Sequence, residues 1–238
     1  MICAPGCLNI PPGLYVYKGS DMIGTGDIGG QERGRATRRQ IVEVGRRLFS
    51  AYGYHATSLA DIQAATGLTK GAFYHHFGSK EALCLSVLEA ATEDYEREWL
   101  APARLEDSAE GRLVAMLDAA VRLNARPEWC NCALMAVLAG ELTDADGAVL
   151  PAVRAWWVGW LEAWREAIAD AQEAGLIGAS IRPPVAAEWV ACSLLGAVLT
   201  RKLGVSGAEL DAVVALVKHT LVASSSRRHG RTAVAEHG

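Results

Sequence analysis

Residues Thr57 to Leu83 read TSLADIQAATGLTKGAFYHHFGSKEAL, and the order of caps and glycines in this stretch decides the fold. Ser58 stands before a short apolar-periodic run and has Asp61 three residues on. In that arrangement a hydroxyl and a carboxylate each satisfy an otherwise free N–H at a helix start. A short helix over residues 59–66 follows, and Gly67 supplies a turn. Thr69 caps a second short helix from Lys70 to His75, which Phe77-Gly78 breaks. Ser79 then caps a long helix from Lys80 to about Trp99. In the turn Ala65-Thr66-Gly67-Leu68, the small Ala65 lets two helices cross closely. Short capped helices joined by a glycine-containing turn form the helix-turn-helix pattern.

Upstream, Thr37 and Gln40 are spaced as a second capping box, predicting a helix from Arg38 to Tyr52. Ile41, Val44, Leu48, Phe49 and Tyr52 fall on one face of it, and Gly53 ends it. Residues 1–30 are rich in Gly and Pro without helical period, so residues 1–34 read as a disordered arm. Downstream the pattern predicts helices over about 109–126, 130–142, 152–174, 184–203 and 207–223, with a frayed tail over 224–238. The expected fold is all-α. A helix-turn-helix domain over 35–82 precedes a helical bundle over 83–223.

About half of the 238 residues are apolar, enough for a sizeable core. The charge-free runs 129–140 and 189–200 fall short of the ~18–20 apolar residues of a membrane span. No basic residue precedes Lys18, which argues against a secretory signal. The six cysteines are scattered rather than spaced as a disulfide framework, which points to the reducing cytoplasm. The net charge of −4 is unevenly spread: residues 31–82 carry +4 and the rest −8. A basic end on an acidic body is the asymmetry expected where one segment meets phosphate.

The quoted stretch resembles the DNA-binding domain of the TetR/AcrR family of regulators. It has the family's Thr-Ser opening of the second helix and its Ala-x-x-Gly-Leu-Thr-Lys-Gly turn. Tyr-x-His-Phe closes the third helix and Ser-Lys-Glu-x-Leu opens the fourth, in order and at family spacing. Leu48-Phe49 and Gly53-Tyr54 match the close of the family's first helix. The match covers roughly residues 37–90. Farther on, Cys132-Ala133-Leu134-Met135 resembles a segment of one subgroup, with Asn131 where that subgroup has Gly.

In a helix-turn-helix the N-terminal residues of the second helix reach base edges in the major groove. Here these are Thr69, Lys70, Gly71 and Ala72. Gly71 lets the backbone approach closely, and Lys70 suits either guanine O6/N7 or a phosphate. Tyr74, His75 and Lys80 are expected phosphate donors. Thr57 and Ser58 are candidates for the same role at another helix N-terminus. Arg38 and Arg39 read equally as phosphate contacts or as solubilising charges, and the resemblance makes Phe73 and Phe77 core. His75 and His76 point about 100° apart on a helix and have no further ligand at the right spacing, so no metal or other cofactor is expected.

The resemblance implies a homodimer joined by a four-helix bundle. The apolar stripe Val153, Trp156, Trp157, Trp160 and Trp164, with Trp189, Leu195 and Leu199, is the expected interface. It also implies a small-molecule effector among the central helices, with Trp99, Met116, Leu123, Trp129, Met135 and Leu138 as candidate lining and an apolar or aromatic ligand favoured. The expected function is a transcriptional regulator, a repressor of a palindromic operator released by that effector. Expected partners are operator DNA and a second copy of the chain, with no membrane. Cys130 and Cys132, near a helix start, read either as redox-sensing thiols or as small apolar fillers. A helical ligand carrier or an enzyme is the remaining class, and no GxSxG, HExxH or P-loop supports catalysis.

Overall fold

The computed structural model describes residues 28–126, 129, 131–203 and 210–226, and every regular element among them is helical. In chain order these are α1 (Ile28–Tyr52), α2 (Leu59–Thr66), α3 (Lys70–His76), α4 (Lys80–Tyr95) and α5 (Ala101–Arg104), with a π-turn over Glu96–Leu100 between the last two. There follow α6 (Ala109–Asn124), α7 (Asn131–Glu141), α8 (Val149–Glu173), α9 (Pro183–Leu203) and α10 (Leu210–Ser226).

The three caps of the helix-turn-helix form as the sequence predicts. Ser58 and Asp61 make the reciprocal box. Thr69 accepts from the Ala72 N–H and Ser79 from the Ala82 N–H. Gly67 takes the left-handed conformation, φ +68°, that ends α2.

Two boundaries differ. α1 begins ten residues before the expected Arg38, so residues 28–34 are helix rather than disordered arm. Thr37 caps nothing: its hydroxyl donates to the Arg33 carbonyl one turn back, and Gln40 donates across to the Thr66 carbonyl. A capping box and a mid-helix Thr share one sequence pattern, and the chain before it decides between them. The arm's residues 1–27 lie outside the described residues, as do 227–238 of the tail, while 224–226 belong to α10.

The second difference is at Pro102. A proline removes one intrahelical N–H and crowds the carbonyl four residues back, here that of Glu98. The helix continues nonetheless. The π-turn widens the backbone ahead of Pro102, and Arg122 on α6 donates to the Glu98 carbonyl at 2.9 Å. From Lys80 to Arg104 the chain is thus one interrupted rod, reaching from the helix-turn-helix into the body.

The small N-terminal core joins Ile41, Leu48 and Phe49 of α1 to Ile62, Phe73, Phe77 and Leu83, all buried. The large core is aromatic. Val153, Trp156, Trp160 and Trp164 line the inner side of α8 and are buried within the protomer. Tyr95 and Trp99 meet them, with ring centroids 5.7 Å apart for Tyr95–Trp156 and 6.4 Å for Trp99–Trp164. These four residues, expected at a dimer interface, are therefore intrachain core, and Trp157 is half-buried against Trp156 and Trp160.

The apolar surface lies elsewhere. On α9, Val185, Trp189, Cys192, Gly196, Leu199 and Leu203 follow one another at steps of four and three. All are exposed except Leu199, which is half-buried like its neighbour Leu195. Leu216 on the adjoining α10 is 64% exposed. Residues 183–200 of α9 are long and apolar enough to cross a membrane by length and composition, contrary to the expectation that no segment is.

Candidate nucleic-acid interface

α3 presents Thr69, Lys70, Gly71, Ala72, Tyr74 and His75 to solvent and buries Phe73 beneath them. The Lys70 ammonium lies 6.0 Å from the centre of the Tyr74 ring, so a donor and an aromatic stand side by side. A Cβ added at Gly71 would meet nothing within 4 Å. Its lack of a side chain answers no crowding inside the protein, and what it leaves open is the outward approach. His76 is half-buried, and burial holds its imidazole below the usual range, with His75 and Arg38 acting in the same direction.

Two expected contacts, Thr57 and Lys80, and Arg38, which read equally as a phosphate contact or a solubilising charge, have partners inside the protein. Thr57 is completely buried and its hydroxyl donates to the Gly53 carbonyl at 2.7 Å, closing the turn between α1 and α2. It is core and faces no ligand, while Ser58 remains exposed as the cap. Lys80 is half-buried: its ammonium donates to the Tyr54 carbonyl at 2.9 Å and sits 4.3 Å from the centre of that ring. It ties the start of α4 to the α1–α2 turn, leaving its remaining N–H groups for phosphate. Arg38 lies over the Phe77 ring at 4.4 Å and donates to the Ser86 hydroxyl, so it braces α1 against α4.

Long-range contacts, invisible to a local reading, fix this reading head to the body. Arg46 on α1 pairs with Asp94 on α4 at 2.6 Å, pairs with Glu43 and donates to Asn131 Oδ1 on α7. Asn131, itself buried, donates to the Ala91 carbonyl. At the other end of α7, the Tyr54 N–H donates to the Glu141 carboxylate. His55 stands 3.4 Å from Asp146, whose carboxyl is held below its usual range chiefly by the Thr143 backbone N–H. The Ala148 N–H donates to Glu81 at 3.0 Å. The partners on α4, α7 and the turn after it are 40 or more residues away, so no local pattern announces them.

The expected effector lining is buried: Trp99, Met116, Leu123, Trp129, Met135 and Leu138 all lie in the core, and Met116 borders a cavity of about 210 Å³. The large opening, about 790 Å³, is a cleft between α4, α5 and α8. Leu88, Thr92, Tyr95 and Leu100 line one side and Ala152, Trp156, Gly159 and Trp160 the other. Cys132 is buried, with the Asn124 amide 3.9 Å from its sulfur, which fits the apolar-filler reading. Cys130 lies outside the described residues.

Comparison with known proteins agrees with this geometry. The family model described as "Bacterial regulatory proteins, tetR family" matches residues 41–87, which span the C-terminal part of α1 and all of α2 and α3 and run into α4. The transcriptional repressor DhaR of Mycobacterium sp. (strain GP1) is 27% identical over 188 residues, covering 79% of this chain and 93% of DhaR. The A-factor receptor protein of Streptomyces griseus is 27% identical over 187 residues, covering 78% of this chain and 62% of the receptor. A TetR transcriptional regulator from Chloroflexus aurantiacus J-10-FL superposes with a TM-score of 0.67 at 26% identity, covering 79% of this chain and 94% of that one. With its caps, its exposed α3 and its helical body all in place, the chain carries a TetR-family helix-turn-helix over residues 41–87 and is similar over most of its length to DNA-binding transcriptional regulators of that family.

Proposed function

We propose that this regulator is a repressor that binds a palindromic operator as a homodimer and is released from it by a small-molecule effector. The observation that carries the reading is the α3 face: exposed Lys70, Tyr74 and His75 around a glycine whose missing side chain nothing inside the protein requires. Lys70 reads a guanine edge or neutralises a phosphate, and Tyr74 and His75 donate to phosphate. The similarity to a repressor and to a receptor supports repression and response to a ligand.

The second copy docks on the exposed apolar stripe of α9, joined by Leu216 of α10. Its four-and-three spacing suits pairing with another helix, and Cys192 and Gly196 let two backbones approach. That pairing, and not a bilayer, accounts for the long apolar run of α9. A two-fold axis there sets two α3 helices on one face of DNA, about 34 Å apart along it. The reading head spans residues 35–82 and the body 83–223, with α4 as the shared rod. The setting is the cytoplasm, where operator DNA lies.

Fluorescence anisotropy on DNA from upstream of the protein's own gene tests this. The native protein is expected to bind with an affinity that falls steeply with salt. Lys70→Ala with Tyr74→Ala is expected to weaken binding roughly ten- to a hundredfold, from two lost contacts of ~1–1.5 kcal/mol each. Equal binding by native and double-variant protein at every salt concentration would remove α3 from the interface.

A further inference from the structure

We propose that the cleft between α4, α5 and α8 binds a lipophilic organic cation and is the effector site of this regulator. The inference rests on the repressor reading above and names the ligand class it left open.

Three features point to this chemistry. The cleft is large enough: about 790 Å³ falls within the ~300–1,000 Å³ of typical small-molecule sites. Its lining carries a net negative charge. Glu89, Glu96, Glu162 and Glu166 line it against a single cation, Arg104, which is already paired with Glu96. Glu162 is paired with Arg165, whereas Glu89 and Glu166 make no ion pair among the described residues. Carboxylates at the rim of an apolar cleft focus a negative potential into it and raise the local concentration of cations. The wall is aromatic: Tyr95, Trp156 and Trp160 all border the cleft, and indole is the strongest of the natural rings for a cation over its face.

An independent observation concerns Tyr95. It is nearly fully buried, yet its hydroxyl has no hydrogen-bond partner among the described residues. A buried hydroxyl left unpaired is costly. The oxygen itself is closed to solvent while the rest of the side chain borders the cleft, so a ligand N–H that enters beside the ring and opens that packing would give the hydroxyl the partner it lacks. Burial also pushes its pKa well above the usual phenol range, so it stays a neutral hydroxyl at neutral pH.

The position gives the binding a consequence. Glu96 and Leu100, the two ends of the π-turn, both line the cleft. The turn interrupts the rod that begins at Lys80, directly after α3. A ligand that prefers one angle of this rod over another shifts the spacing of the two reading heads by its difference in affinity, and by no more than that.

Tetraphenylphosphonium and tetraphenylborate test the proposal, since they share a shape and differ in the sign of their charge. The readout is quenching of intrinsic tryptophan fluorescence in the full chain, without DNA. The cation is expected to quench saturably and the anion to bind at least tenfold more weakly. Glu89→Gln with Glu166→Gln, a double variant that keeps its native circular dichroism, is expected to weaken the cation roughly five- to tenfold. Anion binding as tight as cation binding, no saturable quenching by the cation, or a double variant with native affinity each overturns it. Operator binding is measured on the same protein without either probe. Failure there refutes the repressor reading and leaves the cleft result standing, and failure at the cleft leaves the repressor reading standing.

Discussion

Gly53→Ala is the most informative single change, because one methyl group tests both the backbone and the joint between reading head and body. Gly53 has φ +89° at the end of α1. An L-residue pays about 1–2 kcal/mol to enter the left-handed region. The new Cβ would also lie 2.8 Å from the carboxylate carbon of Glu141, closer than real Cβ contacts come. Glu141 is a flexible side chain and must swing away. In leaving, it gives up the Tyr54 N–H, a bond to a charged acceptor worth ~1.5–3 kcal/mol. The two costs together come to about 2.5–5 kcal/mol.

Glu141→Ala separates them. Alone it loses the hydrogen bond, and in its background Gly53→Ala pays only for the backbone, so the pair of changes must be less than additive by about 1.5–3 kcal/mol. Urea unfolding followed by circular dichroism, at one fixed protein concentration because a dimer's stability depends on it, gives all four values. A Gly53→Ala cost below about 0.5 kcal/mol, smaller than the backbone cost alone, would refute the backbone argument. Strict additivity in the double variant would refute the contact with Glu141.

Other outcomes follow from the same contacts. Thr57→Val removes the bond to the Gly53 carbonyl and is expected to cost about 1 kcal/mol of stability while leaving the salt dependence of operator binding unchanged; a change in that salt slope would return Thr57 to the interface. In the native protein buried Cys84 and Cys132 are expected to resist iodoacetamide, as read by peptide mass spectrometry, and fast labelling of Cys132 would reopen the redox reading. Burial pushes the Cys84 thiol from 9.0 up to about 12. The unfolded chain therefore sheds this proton first, so Cys84's contribution is intact below pH 9 and is lost between pH 9 and about 12. Cys84→Ala should flatten the fall of stability over that window in alkaline unfolding curves. Leu199→Glu with Leu203→Glu places charges on the α9 stripe and is expected to yield monomers in sedimentation, with a dimer of native affinity counting against that face.

The reading head was legible in the sequence because its determinants are local. Ser58 and Asp61, Thr69 and Ala72, Gly67 and the turn it makes are each separated by three residues or fewer. Where the determinant was distant, the reading went astray. Lys80 looks like a wholly free cation until Tyr54, 26 residues back, is seen to take one of its N–H groups. The helix from Lys80 looks finished before Pro102 until Arg122, 24 residues beyond Glu98, is seen to satisfy the carbonyl that the proline strands.

The tryptophans of α8 carry the same lesson for the body. Val153, Trp156, Trp160 and Trp164 recur at steps of three and four, and so do Val185, Trp189, Cys192, Gly196, Leu199 and Leu203 on α9. Such a period says that a face leaves water; it does not say which surface covers it. The difference lies in what the opposite side can reach. Tyr95 at the end of α4 and Trp99 in the π-turn close over the α8 stripe within the same chain, with ring centroids 5.2 Å from each other and 5.7 to 6.4 Å from the indoles of α8. Across the α9 stripe no described element of the chain does the same, and Val185, Trp189 and Leu203 stay exposed. An aromatic stripe that meets aromatics from its own chain is core, whereas the equally regular stripe on α9 stays open, and that difference is what supports placing a second copy there. The Trp enrichment of α8 is answered within the chain and carries no argument for an interface on that helix.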